Sequence, residues 1–316
     1  MNEVQPASGR PIIVRSEALT RKFGDLTAVD SLDLEVHTGE IFGLVGPDGA
    51  GKTTTMRLLC GLMDPTSGRV EIDGIDVGRH AARVRDRIGY MSQRFGLYVD
   101  LTVDENLRFY AELFGLDRAK EAALMEQLLS MTRMTPFRNR QAGKLSGGMK
   151  QKLALMCALL HEPRVLFLDE PTNGVDPISR RDFWVILYQL VKDGLTVIVS
   201  TAYLDEAERC NRVGLMHEGR LILCDSPGAL GRHIDGRCFR LHCSEARECR
   251  RVLESWPGSR TVRPSGASVR VLLGPGISES DLSDFLESNG QGATSVEPVA
   301  TSVEDVFIAL TEGKAG

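Results

Sequence analysis

Gly46-Pro47-Asp48-Gly49-Ala50-Gly51-Lys52-Thr53 is the stretch on which the reading of this chain turns. It fits G-x-x-x-x-G-K-[ST], preceded by the continuous apolar run Ile41–Val45 and followed by a helical stretch over Thr54–Cys60. In such a loop the glycines let the backbone turn its N–H groups inward around a phosphate. The helix that follows adds its positive N-terminus. Lys52 supplies a point charge for the β- and γ-phosphates of a nucleotide, and Thr53 a hydroxyl for Mg²⁺. A chance match occurs on the order of once in a hundred chains of this length. The strand before and the helix after lower that chance further.

Two more apolar runs, Val165–Asp169 and Thr196–Thr201, read as buried strands of the same kind. Between them, Asp182–Gly194 has helical apolar spacing with glycine as its stop. Strands alternating with helices predict a doubly wound parallel α/β sheet. The first of these runs ends in Asp169 and Glu170, at the strand end where ligands bind in open α/β sheets. Asp169 is the candidate Mg²⁺ carboxylate, and Glu170 can polarise an attacking water. Leu32, Leu34 and Val36 alternate as a half-buried strand. Residues 94–162 read as a helical insertion: Thr102 and Glu105 make a capping box, Leu107, Tyr110, Ala111 and Phe114 share a face, and further helices cover Ala119–Met131 and Met149–Leu160. A hairpin turns at Glu218–Gly219.

The wider composition agrees. At 316 residues, 42% hydrophobic and 26% charged, the chain holds about two domains. We expect residues 1–11 to be a loose tail, 12–232 a first domain, and 233–316 a small α+β appendage. Lys+Arg of 38 against Asp+Glu of 43 gives a net charge of −5, against a dedicated nucleic-acid binder. The longest uncharged apolar segment, Leu195–Leu204, falls short of the ~18 residues of a membrane span, and the N-terminus lacks the features of a signal peptide. Seven scattered cysteines predict reduced thiols in the cytosol. Cys238, Cys243 and Cys249 with His233 and His242 include no C-x-x-C pair, so unligated thiols are favoured over zinc. The Arg79–Arg87 cluster reads as a solvated helix face.

Leu145-Ser146-Gly147-Gly148-Met149-Lys150-Gln151 resembles the LSGGQ-type signature of ABC (ATP-binding cassette) ATPases. Physically, Ser146 is a good N-cap and the two glycines leave the first helical N–H groups open, a second anion site. The resemblance covers residues 12–232 and implies a P-loop NTPase core with a helical subdomain at 94–162. It also implies a head-to-tail dimer in which each ATP lies between one cassette's phosphate loop and the other's signature, here Ser146, Gly147, Gly148 and Gln151. Gln93 matches the family's Q-loop glutamine, a further Mg²⁺ ligand. Asn173-Gly174-Val175-Asp176 matches the D-loop, with Asp176 near nucleotide. Phe23 matches the aromatic that stacks on adenine, and Thr54 completes the phosphate loop. The segments Leu145–Leu153, Tyr90–Tyr98 and Ser302–Thr311 are most similar to ATPases of ABC-2-type multidrug exporters.

One landmark departs from the pattern: the family's switch histidine after the Thr196–Thr201 strand is Ala202, followed by Tyr203. Asp48 also stands where asparagine is commoner, which we read as a tolerated loop variant. The expectation is therefore an ATPase subunit on the cytoplasmic face of the membrane, energising separate ABC-2-type permease subunits. It pairs with a second cassette, a heterodimer being favoured, and hydrolyses slowly at its own site. The segment Arg94–Tyr98 is expected at the permease interface. The alternatives are a non-transport ABC ATPase acting on nucleic acid and a regulatory subunit with little hydrolysis. The first commonly carries paired cassettes or coiled-coil insertions, and acidity speaks against it.

Overall fold

The computed structural model describes residues 9–94, 96–291 and 293–311. Two compact units divide the chain, residues 1–203 with 210–221, and residues 204–209 with 222–316.

In the first unit, β1 (Ile12–Phe23) and β2 (Leu26–His37) pair antiparallel, and Leu32, Leu34 and Val36 point inward as their alternation requires. The apolar run β3 (Ile41–Val45) is buried at every residue and leads through the glycine loop into α1 (Lys52–Leu59). Then come β4 (Ser67–Ile72), β5 (Ile75–Asp76), the short α2 (Ala81–Arg85) and β6 (Ile88–Met91). Strands β4 and β5 complete an antiparallel sheet in the order β2-β1-β4-β5, a layer the apolar runs did not reveal. Arg79, Arg83 and Arg85 are exposed at α2, whereas Arg87 lies past its end and pairs with the largely buried Asp73.

Among the described residues, three α-helices and two single 3-10 turns separate β6 from the next strand, the α-helices being α3 (Val103–Leu113), α4 (Arg118–Met131) and α5 (Gly147–Leu159). The Thr102–Glu105 capping box is present in both directions. Phe114 falls at the C-cap of α3 and is 39% exposed, so the inward face of this helix is Leu107 and Ala111. Helix α5 starts two residues before its apolar pattern because Ser146 accepts from Met149 N at 3.3 Å. Strand β7 (Val165–Asp169), helix α6 (Pro177–Lys192) and strand β8 (Thr196–Thr201) follow. After the short α7 (Leu204–Ala207) of the second unit, β9 (Arg212–His217) turns at Glu218–Gly219 into β10 (Arg220–Asp225). Strands β9, β3, β8, β7 and β6 lie side by side in that order, all parallel. Phe42 of β3, Phe167 of β7 and Phe183 and Trp184 of α6 are fully buried, each stabilising by about 1.5–3 kcal/mol.

The second unit continues with α8 (Pro227–Leu230), β11 (Cys238–Cys243), α9 (Ala246–Glu254), β12 (Ser259–Ser265), β13 (Ser268–Leu273), α10 (Glu279–Ser288), β14 (Ala293–Val299) and α11 (Val303–Thr311). Its antiparallel sheet runs β12-β13-β11-β14, which with α9 and α10 makes a ferredoxin-like βαββαβ unit. Phe239, Leu241, Val269, Val271, Leu253 and Leu282 form its core. At the start of α11, Asp305 is fully buried and accepts from Arg263 and, at 2.7 Å, from Arg270 Nε. Ser302 Oγ caps the same helix by accepting from Asp305 N at 3.2 Å, and the Asp305 carboxylate accepts in return from Ser302 N at 2.8 Å.

No described helix is long and apolar enough to cross a membrane. Among the described residues no group of three or more His, Cys, Asp or Glu could hold a metal ion, and every cysteine is a free thiol.

Candidate functional site

The parallel register lines up the C-terminal ends of β3, β7 and β8: Val45 lies beside Thr201, and Asp169 beside Ser200. The loop of Gly46–Thr53 leaves β3 at that edge. Gly46 and Gly51 admit no side chain. A Cβ on Gly46 would stand 2.1 Å from Met216 O, and one on Gly51, at φ +100°, 2.3 Å from Ala28 O. Pro47, Asp48 and Gly49 are exposed at the tip, whereas Ala50 is buried. Gly51 gives α1 no side-chain cap, which leaves its first N–H groups to the loop. Thr54 is half-buried in the first turn.

Lys52 is only 4% exposed. Its Nζ donates to Gly46 O at 2.9 Å and Pro47 O at 3.0 Å, and stands 3.3 Å from Glu170 Oε1. Thr53 Oγ1 donates to Asp169 Oδ1 at 3.0 Å. Gln93 Nε2 donates to Glu170 Oε2 at 2.9 Å, and Asn173 Nδ2 does so at 3.3 Å. Glu170 itself sits at φ +48°, a left-handed conformation uncommon for a non-glycine residue. Its N–H is held by Ser200 Oγ at 3.0 Å. Thus Lys52, Thr53, Gln93, Asp169 and Glu170, far apart in sequence, form one cluster.

Several members escaped the sequence reading. Ser200 Oγ donates to Asp169 Oδ1 at 2.7 Å, fixing the carboxylate. Counting the two runs in parallel register would have found it. Tyr90 OH donates to Asp169 Oδ2 at 3.4 Å, and burial and the Asp169 charge push this phenol up to about 12, so it stays a donor. Asn106, fully buried on α3, bonds both backbone groups of Tyr98 and returns the segment after Gln93 to the helices. Its only sequence signal is its place one turn past the capping box.

Phe23 ends β1, 43% exposed, with the Arg21 guanidinium 4.6 Å from its ring centre. Ser146 and Gly147 are exposed, and a Cβ on Gly147 would meet nothing within 4 Å. Gly148 is buried against α6, where a Cβ would fall 2.4 Å from Ser179 Oγ. Asp176 is exposed and caps α6 by accepting from Ser179 N at 2.9 Å, which holds its carboxyl below the usual range. Gln151 departs from expectation. It is fully buried and donates to Pro171 O at 2.6 Å, so it does not share the exposed surface of Gly147. Ala202 is exposed, and Tyr203 turns toward Asn173 (3.5 Å to Oδ1) with the Arg180 guanidinium 4.3 Å from its ring centre. Phe95, one of the expected interface residues, lies outside the described residues.

A glycine loop, a lysine and paired carboxylates at the strand ends of a parallel sheet define a nucleotide-phosphate site. A family model described as ABC transporter matches residues 29–173. The chain is 33% identical over 304 residues to the daunorubicin resistance ATP-binding protein DrrA2 of Streptomyces coeruleorubidus, covering 94% of each. It belongs to the ABC transporter family of ATP-binding proteins, whose cassettes are ATPases. Within that family it is 42% identical over 306 residues to the probable multidrug ABC transporter ATP-binding protein YbhF of Escherichia coli strain K12. That match covers 95% of this chain and 52% of YbhF, so the chain spans about half the length of that relative. A solved ATP-binding cassette, described as a dimer in a post-hydrolysis state bound to ADP and Pi, superposes with TM-score 0.61 at 27% identity, covering 68% of this chain and 98% of that one.

Proposed function

We propose that this chain binds and hydrolyses Mg-ATP as the nucleotide-binding subunit of an exporter, driving separate ABC-2-type permease subunits from the cytoplasmic face of the membrane. The observation that carries this reading is the convergence of Lys52, Thr53, Asp169 and Glu170 at one sheet edge. The loop N–H groups and Lys52 hold the phosphates, with Phe23 as the surface on which adenine stacks. The donor set around Asp169 fits Mg²⁺: Thr53 hydroxyl and Asp169 carboxylate stand 3.0 Å apart, an all-oxygen pair with Gln93 near Glu170. Bound there, the ion would neutralise charge on the β- and γ-phosphates. Glu170, fixed by Gln93 and Asn173, orients and polarises the attacking water.

Ser146, Gly147 and Gly148 complete the site of a second cassette, and the dimeric form of the superposed cassette supports this pairing. Ala202 in place of the switch histidine slows hydrolysis at this chain's own site, which favours a heterodimer with one fast site. The permease docks in a cleft of about 300 Å³ lined by Tyr90, Leu97, Tyr110, Phe114, Ala154 and His161. Tyr98, Phe109, Tyr110 and Phe114 form a chain of ring contacts along α3, with Phe114 stacked 4.1 Å from His161. The names of the drug-resistance relatives support an exported small molecule as substrate.

The test is calorimetric titration of Mg-ATP into the purified chain, together with affinity purification from membranes to identify co-purifying chains. Absence of ATP binding would overturn the reading, and recovery without any membrane protein would remove its transport half.

A further inference from the structure

Gln151 is a buried polar side chain that the proposed hydrolysis does not use. It is fully buried, its Nε2 donates to Pro171 O at 2.6 Å, and its Oε1 has no partner among the described residues. Burying an amide half-satisfied is unfavourable, and a leucine or methionine would fill the same space without that cost. Pro171 directly follows Glu170, and proline has no N–H, so its carbonyl is the one backbone polar group it offers. The left-handed peptide at Glu170 is therefore held on both sides: Ser200 takes its N–H, and Gln151 takes the next carbonyl.

A second, independent contact ties the same helix to the start of α6. Gly148 approaches Ser179 so closely that a Cβ would fall 2.5 Å from Ser179 Cβ and 3.7 Å from Val175 Cγ1. Lys152 Nζ adds an ion pair to Asp182 at 3.6 Å. The first turns of α5 thus contact both the start of α6 and the peptide after Glu170.

We propose that Gln151 is a positioning residue, setting the Glu170 carboxylate through the Pro171 carbonyl and so linking the signature helix to the chain's own water-polarising group. An anionic phosphate held at Ser146–Gly147 by a second cassette would be felt at Glu170 through this bond. The inference rests on the assignment of Glu170 made above.

The test uses the full chain with its co-purifying partners and two variants, Gln151→Met and Gln151→Glu. ATP affinity is read by calorimetry, and kcat and KM from pH 6 to 8.5. Gln151→Met is expected to lower kcat about tenfold while ATP affinity stays within twofold. Gln151→Glu supplies its own rescue: a protonated carboxylic acid can donate to Pro171 O, whereas the carboxylate repels it, and burial raises the pKa of such a group. Its kcat relative to wild type should climb as pH falls. An unchanged kcat in Gln151→Met, or loss of kcat and affinity by the same factor with a relative rate flat in pH, overturns the proposal. If the wild type itself binds no ATP, the assignment of the whole site fails first, and the two failures are told apart by that control.

Discussion

Lys52 Nζ stands 3.3 Å from Glu170 Oε1, with the two side chains 4% and 11% exposed. The cation of the phosphate loop and the carboxylate just past β7, two strands away from β3, therefore form a nearly solvent-free pair. Removing one partner strands the other, which is costly in a buried site. Lys52→Ala is expected to lower ATP affinity tenfold or more, because it also deletes a charge-assisted contact worth about 1.5–3 kcal/mol. Calorimetry checks this, and adding Glu170→Gln should recover thermal stability without recovering affinity.

Restoring the switch residue is the second expectation. Ala202 is exposed beside Tyr203, whose hydroxyl faces Asn173. Ala202→His should raise kcat by about 10²-fold, the size of a positioned donor in a charged transition state, with a much smaller change in ATP affinity. Steady-state hydrolysis against ATP titration separates the two quantities.

Loss of permease contact should follow from the aromatic surface. Tyr98 is 47% exposed, yet its backbone is fixed by Asn106. Tyr98→Ser combined with Phe114→Ser is expected to weaken co-purification with the membrane subunit while ATP binding by the isolated chain is retained. An undiminished complex would send the docking site elsewhere.

Stability should fall on mild acidification. Burial holds His161 below its ordinary pKa, outweighing its bond to Ile88 O at 2.8 Å. The folded state thus prefers the neutral ring, and the unfolded chain takes up the proton first. The contribution is complete above the unfolded value of about 6.5 and is lost as pH falls through the lower folded value. Denaturant midpoints between pH 7.5 and 5.5 should drop for wild type and drop less for His161→Phe.

In the second unit, Asp305→Ala leaves Arg263 and Arg270 without their buried anion. A loss of about 3–5 kcal/mol is expected, read as a lower unfolding transition that ATP does not restore.

Much of this arrangement was legible in the sequence. Buried parallel strands read as unbroken apolar runs, so β3, β7 and β8 and the residues at their ends were visible as such. Local devices were visible too, since the Thr102–Glu105 box and the Ser146 cap need only a few neighbouring residues. What stayed hidden depends on pairing between distant segments. Ser200 becomes a partner of Asp169 only once β7 and β8 lie in register. Gln151 looks surface-facing in a polar signature, yet α5 turns it inward onto Pro171. The alternation of β2 was legible, but β4 and β5, which complete its antiparallel layer, and the strands of the ferredoxin-like unit are short and half-polar, with a pattern too weak to read singly.

The fit of Gly148 against Ser179 changes how variants in the signature must be interpreted. A methyl group there collides inside a lone subunit, before any second cassette arrives. Gly147, one position earlier, faces open space. An alanine at 147 interrogates what happens between subunits, and an alanine at 148 interrogates the lone subunit's own packing. Inactivity of the latter is therefore no measure of dimer contact unless Ser179→Gly, which clears the space, leaves it unrepaired.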